Sequence, residues 1–252
     1  MRGWKRKRLI IWTNKQGLLK LGAAAALAVL TVFMLSYELP HSETWNYWTM
    51  PLSGKVIAVD AGHGGPDGGA SSKEGVNEKD INLDIAKHLR DYLQEAGAIV
   101  VMTREEDKDL AAPGTKGYSK RKTEDLQQRA NLINKAQADF MISIHLNSIP
   151  SPKWHGAQTF YHPDKPGAKT LATHIQEELK RNLQNTDRVA KENDTFYPMK
   201  AISIPGALVE VGFLSNPEEA RLMGQEGYQK KVAASIYQGI LKYCAGEQIG
   251  EP

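Results

Sequence analysis

Four residues in this chain have the types and the placement to do chemistry together: His63, Glu78, His145 and Glu210. His63 stands at the mouth of "VDAGHGGPDGGA", where an apolar strand runs into a glycine-rich loop. His145 ends the apolar run "FMISIH", and Glu78 precedes a helical pattern beginning at Ile81. Glu210 interrupts "ALVEVGF", where an ionised carboxylate is costly unless it is paired or bound to a cation. Two imidazoles and a carboxylate form a donor set that zinc takes in hydrolytic sites, with a fourth position open. Each residue also has an ordinary structural use. Glu78 could be a charge at a helix start, His145 a core histidine, Glu210 half of a buried ion pair, and the glycines a tight turn presenting a satisfied His63. Sites in α/β folds gather at strand ends and helix starts, which is where all four lie.

Phosphate binding fits the glycine loop poorly. Gly64 to Gly69 has the Walker A glycine spacing, but Ala70 occupies the lysine position and Pro66 removes a backbone donor. A dinucleotide fingerprint begun at Gly62 would put Asp67 at the third glycine, where its charge repels a pyrophosphate.

The elements that must carry these residues alternate between strand and helix from Gly54 onward, which predicts an α/β domain. "KVIAVD", "AIVVMT", "FMISIH", "GAQTFYH" and "GALVEVGF" read as strands. Ile81, Ile85, Leu89 and Leu93 share one helical face, and Gly97 marks its stop. Residues 104 to 122 read as a long charged loop able to border a cleft, and Asp125 with Gln128 as the start of the next helix. Leu171, Ile175, Leu179 and Leu183 predict another helix, Pro217 opens a short one, and Val232, Ile236 and Ile240 mark the last. Asp60 and Asp67 are near enough in sequence to orient the His63 ring, or else to cap a turn and face solvent. Arg129 and Asn147 are weaker candidates for supporting the site or touching substrate.

The chain has 252 residues and a net charge of +3. Seven cations (Arg2, Lys5, Arg6, Lys7, Arg8, Lys15 and Lys20) lie in its first twenty residues without an acid. Setting those seven aside leaves the remainder at about −4, so nothing argues for a nucleic-acid partner. The uncharged run Leu21 to Ser36 follows them, with no small-residue cleavage pattern in "MLSYELP". It reads as an uncleaved membrane anchor, with the basic flank cytoplasmic and the rest of the chain beyond the membrane. The expected organisation is a basic segment and anchor over 1–36, a linker over 37–54 and one catalytic domain over 55–252. The single cysteine, Cys244, rules out an intramolecular disulfide.

"VDAGHGGPDGGA", "NEKDINLDIAKHL", "TREEDK", "QQRANLINKAQADFMISIHLNS" and "PGALVEVGFLSNPEE" resemble, in order and spacing, the zinc-dependent N-acetylmuramoyl-L-alanine amidases of the amidase-3 family. The resemblance spans nearly all of Lys55 to Tyr243. It implies a single α/β domain with a twisted, mostly parallel sheet of about six strands and helices on both faces. It implies zinc on His63, Glu78 and His145, and Glu210 as catalytic acid/base. It also implies a peptidoglycan substrate, cut between N-acetylmuramic acid and L-alanine. The shortness of Ser148 to Gln158 leaves no room for the regulatory helix that some relatives insert there. Short, N-terminally anchored members act in germination, which implies removal of stem peptides from spore cortex ahead of muramic δ-lactam formation, at the forespore envelope. A regulatory protein partner is compatible with this. Two rival readings stand beside it: a zinc peptidase or deacetylase on the same polymer, and an inactive, membrane-anchored wall-binding protein.

Overall fold

The computed structural model describes residues 14–36 and 50–249, which belong to two separate units. In the first unit, helix α1 (Lys15–Ser36) runs for 22 residues, or roughly 33 Å at the α-helical rise. Its stretch Lys15–Met34 has a mean hydropathy of 2.0 and none of it is buried, so it is long and apolar enough to cross a bilayer. The cations at positions 2 to 8 and most of the expected linker lie outside the described residues.

The second unit carries the alternation expected of it. Strands β1 (Val56–Ala61), β2 (Ile99–Met102), β3 (Phe140–Asn147), β4 (Gln158–Tyr161), β5 (Lys191–Glu192) and β6 (Gly206–Phe213) form one sheet in the order β2-β1-β3-β6-β4-β5. Every neighbouring pair is parallel except β4 with β6. Residue parity decides which face each side chain meets. Ile57, Val59 and Ala61 of β1, with Phe140, Ile142 and Ile144 of β3, pack in the larger core with helices α2 (Glu78–Glu95), α4 (Ala168–Leu183) and α7 (Glu226–Ala245). Ala58, Met141 and Leu208 face the smaller core, with α3 (Tyr118–Lys135) and α5 (Tyr197–Ala201). Helices thus cover both faces, which parallel sheets require. The helical faces read from sequence are the buried ones: Ile81, Ile85, Leu89 and Leu93 on α2, and Leu171, Ile175, Leu179 and Leu183 on α4.

Helix α6 (Pro217–Met223) opens as its residues suggest. Pro217 takes the first turn, and the Asn216 side chain accepts from the backbone N–H groups of Glu218 and Glu219. Helix α3 differs from expectation. It starts at Tyr118, seven residues before Asp125, directly after Gly117 at φ 88°. Asp125 caps nothing; it points inward and accepts from Arg129 one turn later. Strand β5 and helix α5, of two and five residues, are too short to leave a periodic pattern.

Candidate metal centre

The glycine loop begins where β1 ends. Gly62 has no room for a side chain, since a Cβ there would lie 2.3 Å from the His145 ring. His63 follows at φ 62°, a left-handed backbone that a non-glycine residue adopts at a cost of about 1–3 kcal/mol. Two buried guanidiniums hold that backbone. Arg129 donates to the carbonyls of Ala61 (2.7 Å) and His63 (2.6 Å), and Arg104 to those of Ala61 (2.9 Å), Gly62 (3.0 Å) and Lys79 (2.7 Å). The loop then folds back through reciprocal backbone bonds between Gly64 and Asp67.

His63, Glu78 and His145 converge, and one ligand atom from each lies within 4.8 Å of the others. Glu78 sits between the imidazoles, with its Oε1 3.2 Å from His63 Nε2 and 3.0 Å from His145 Nδ1. The Glu78 carboxylate is fixed by backbone donors, Leu146 N–H on Oε1 (3.0 Å) and Ala70 N–H on Oε2 (2.8 Å). Gly69 lets it approach the loop: at φ 67°, any Cβ would lie 2.5 Å from Glu78 Oε2. Burial pushes the Glu78 carboxyl up, but the bonds from His145 and His63 outweigh it and hold the group well below the usual carboxylate range.

The far side of the His63 ring meets Asp67, with Nδ1 to Oδ2 at 2.9 Å. Burial lowers the imidazole, yet the bonds to Asp67 and Glu78 prevail and raise it to about 9. Asp67 and Glu78 thus hold the ring from both of its nitrogens. Asp67 also accepts from Tyr118 Oη (2.8 Å) and pairs with Lys122 (3.1 Å), both on the first turns of α3.

Asp60 is not part of this ring contact. It is buried and accepts from Arg129 (2.8 Å), Thr103 (2.8 Å) and Ser143 (2.7 Å). Burial alone would raise its pKa, but the Arg129 charge and these bonds bring it down to about 2. Arg129, 1% exposed, is bonded inward to Asp60 and Asp125. The Asn147 carbonyl accepts from Leu214, and its side chain joins none of the cluster's bonds. Arg104, Tyr118 and Lys122 carry parts that the sequence reading did not give them.

Glu210 stands opposite His145 in the β3–β6 register, on the same face of the sheet. Its Oε2 is buried without a hydrogen-bond partner. Burial raises its pKa to about 7, with Glu78 adding to the rise and His145 opposing it. A sealed, unpartnered carboxylate oxygen beside two imidazoles and a carboxylate fits a divalent cation, and nitrogen and oxygen donors of this kind suit zinc.

The cluster thus sits at one edge of a doubly covered α/β sheet, and its donors are those that zinc takes in hydrolytic sites. The N-acetylmuramoyl-L-alanine amidase family profile matches residues 57–242, and the chain belongs to that family. It is 55% identical over 215 residues to the germination-specific N-acetylmuramoyl-L-alanine amidase of Bacillus subtilis, covering 85% of this chain and 90% of that protein. It is 35% identical over 245 residues to the Bacillus subtilis amidase LytC, covering 95% of this chain and 46% of LytC. The CwlD amidase of Clostridioides difficile, solved in complex with the GerS lipoprotein, superposes with a TM-score of 0.75 at 43% identity, covering 77% of this chain and 100% of that one.

Proposed function

We propose that this amidase acts on spore-cortex peptidoglycan, using zinc held by His63, Glu78 and His145, with Glu210 as the acid and base of the reaction. The observation that carries the catalytic assignment is the buried, unpartnered Glu210 Oε2 next to the cluster. Bound zinc would supply Lewis acidity, polarising the scissile carbonyl and lowering the pKa of a water. Glu210 takes the proton of the attacking water and returns it to the nitrogen of the departing L-alanine, so the carboxylate ends the cycle as it began. Burial of the Glu210 carboxyl favours its protonated form, which is the form that donates to the departing nitrogen. Asp67 holds the Nδ1 proton of His63 and so fixes the tautomer that leaves Nε2 facing Glu78. The Arg104 and Arg129 donors keep the His63 backbone in its left-handed turn.

The cortex substrate is supported by the likeness to the germination-specific enzyme, whose name states that role. Helix α1 supports anchoring, with the catalytic unit outside the cytoplasm at the forespore envelope. The complex of the Clostridioides difficile relative with a lipoprotein supports a protein partner for this chain as well. The deciding experiment is mass spectrometry of purified cortex after incubation with the zinc-loaded protein. New L-alanine amino termini are expected; release of acetate or cleavage inside the stem peptide would replace this reading with the deacetylase or peptidase one. Glu210→Gln should keep zinc and lose turnover by at least about 100-fold, the span of general acid–base catalysis. Near-normal turnover in that variant overturns the role of Glu210.

A further inference from the structure

Two cavities are lined by successive residues of the same two chain segments, 71–76 and 214–224. The first, about 330 Å³, lies between Ser71 and Lys73 on one side and Ile149, Pro152, Leu214 and Ser215 on the other. It adjoins the cluster, because Ser71 follows Ala70, whose N–H holds Glu78, and Leu214 donates to Asn147 at the end of β3. The second, about 340 Å³, continues along the same two segments, with Glu74 and Val76 facing Pro217, Ala220 and Arg221. Lys73 of the first is followed by Glu74 of the second, and Ser215 of the first lies two residues before Pro217 of the second, so the pair lies in line between the loop before α2 and the helix α6.

The charges along this groove are unusual for a surface so rich in ion pairs. Lys73, Glu74 and the Arg221 side chain make no ion pair or side-chain hydrogen bond among the described residues, even though Glu74 and Arg221 line the same cavity. An acid and a guanidinium held apart across an apolar floor of Val76, Pro217 and Ala220 are complementary to a zwitterion on an alkyl chain.

Resting on the proposed amide cleavage, we infer that this groove seats the stem peptide, and that Arg221 and Glu74 grip the free amino-acid end of its diamino acid. Stem peptides carry carboxylates along their length, and a diamino acid such as diaminopimelate ends in an ammonium and a carboxylate on one carbon. Lys73, nearer the cluster, meets the carboxylate of the preceding acidic residue. Arg221 takes the far carboxylate and Glu74 the far ammonium, while the alkyl chain lies on the apolar floor. Lysine in the same place would present the ammonium alone and lose the Arg221 contact.

Calorimetric titration of the detergent-solubilised full chain with synthetic stem peptides reads this without turnover. The tripeptide ending in diaminopimelate should bind at least about tenfold tighter than the L-alanyl-glutamyl dipeptide, as expected for charge-assisted bonds. The lysine tripeptide should fall between them. Arg221→Gln and Glu74→Gln, both at exposed positions, should each erase most of the diaminopimelate advantage and leave dipeptide binding unchanged; Arg221→Gln should not weaken the lysine peptide further. Equal affinity for dipeptide and tripeptide, retention of the advantage in both variants, or no binding of either peptide overturns the inference. Absence of amide cleavage in cortex would instead count against the amidase assignment, and the titration would still decide the groove.

Discussion

Replacing Arg129 by Met should destabilise the protein and also change how its stability depends on pH. Arg129 is 1% exposed and its guanidinium bonds Asp60 and Asp125, each at 2.8 Å, besides two loop carbonyls. Removing one member of a buried charge network costs about 3–5 kcal/mol, because the remaining charges lose their partner. That is a large part of a total stability of about 5–15 kcal/mol. The pH signature follows from Asp60. In the native protein its pKa is lowered from 3.8 to about 2, so it contributes about 2 kcal/mol above pH 3.8, a contribution lost as the pH falls towards 2. Without Arg129, burial dominates and the Asp60 pKa rises above 3.8, so the variant loses stability as the pH climbs through that raised value. The gap between wild type and variant should therefore widen as the pH rises from about 2, through 3.8, to the raised value of the variant. Urea unfolding with chelator present throughout keeps metal binding out of the comparison. Arg129→Lys keeps a cation but cannot reach both acids and the His63 carbonyl at once, so it should recover the pH profile with only part of the stability. A gap below about 1 kcal/mol, or one independent of pH, refutes the idea that Arg129 neutralises Asp60.

Metal content tests the cluster directly. His63→Ala and His145→Ala should each retain less than about one tenth of wild-type zinc after dialysis, a loss in line with a missing first ligand; full stoichiometry in both discards the ligand set. Gly62→Ala puts a Cβ where the His145 ring stands, 2.3 Å from Cε1, so it should weaken zinc binding by about 10–100-fold, as misoriented ligands do. Unchanged affinity in that variant, read by chelator competition, would mean the His145 ring is free to move aside.

The parts of the molecule legible in the sequence are those where one chemical rule dominates. Parity along β1 and β3 separates Ile57, Val59 and Ala61 from Ala58, and the sheet obeys it because both faces are buried. Glu210 stood out because a carboxylate inside an apolar strand needs a reason to be there. The start of α3 was hidden by its charges. Its first turns carry Lys120, Arg121 and Lys122, which oppose the helix dipole and look nothing like a helix start. The structure tolerates them because Arg121 pairs with Asp109 at 2.6 Å and Lys122 with Asp67 at 3.1 Å. Placing that start at Asp125 concealed Tyr118 and Lys122 as partners of Asp67. Arg104 could have been suspected on the same ground as Glu210, since a cation directly after an apolar strand also asks for partners.

The contrast between the two aspartates near His63 shows what sequence distance cannot decide. Asp60 is three residues from His63, yet it lies within β1, paired in register with Ser143 and on the α3 face of the sheet. Arg129 reaches it there from α3, and the ion pair that results braces the loop backbone instead of the ring. Asp67 is four residues on in the other direction, beyond three glycine or proline positions that let the chain reverse through the Gly64–Asp67 bridge. The reversal brings its carboxylate against Nδ1, while Tyr118 and Lys122 hold it from behind. One acid thus fixes where the loop runs and the other fixes how the imidazole turns. A left-handed His63 requires both, because a strained backbone persists only where its surroundings over-determine it.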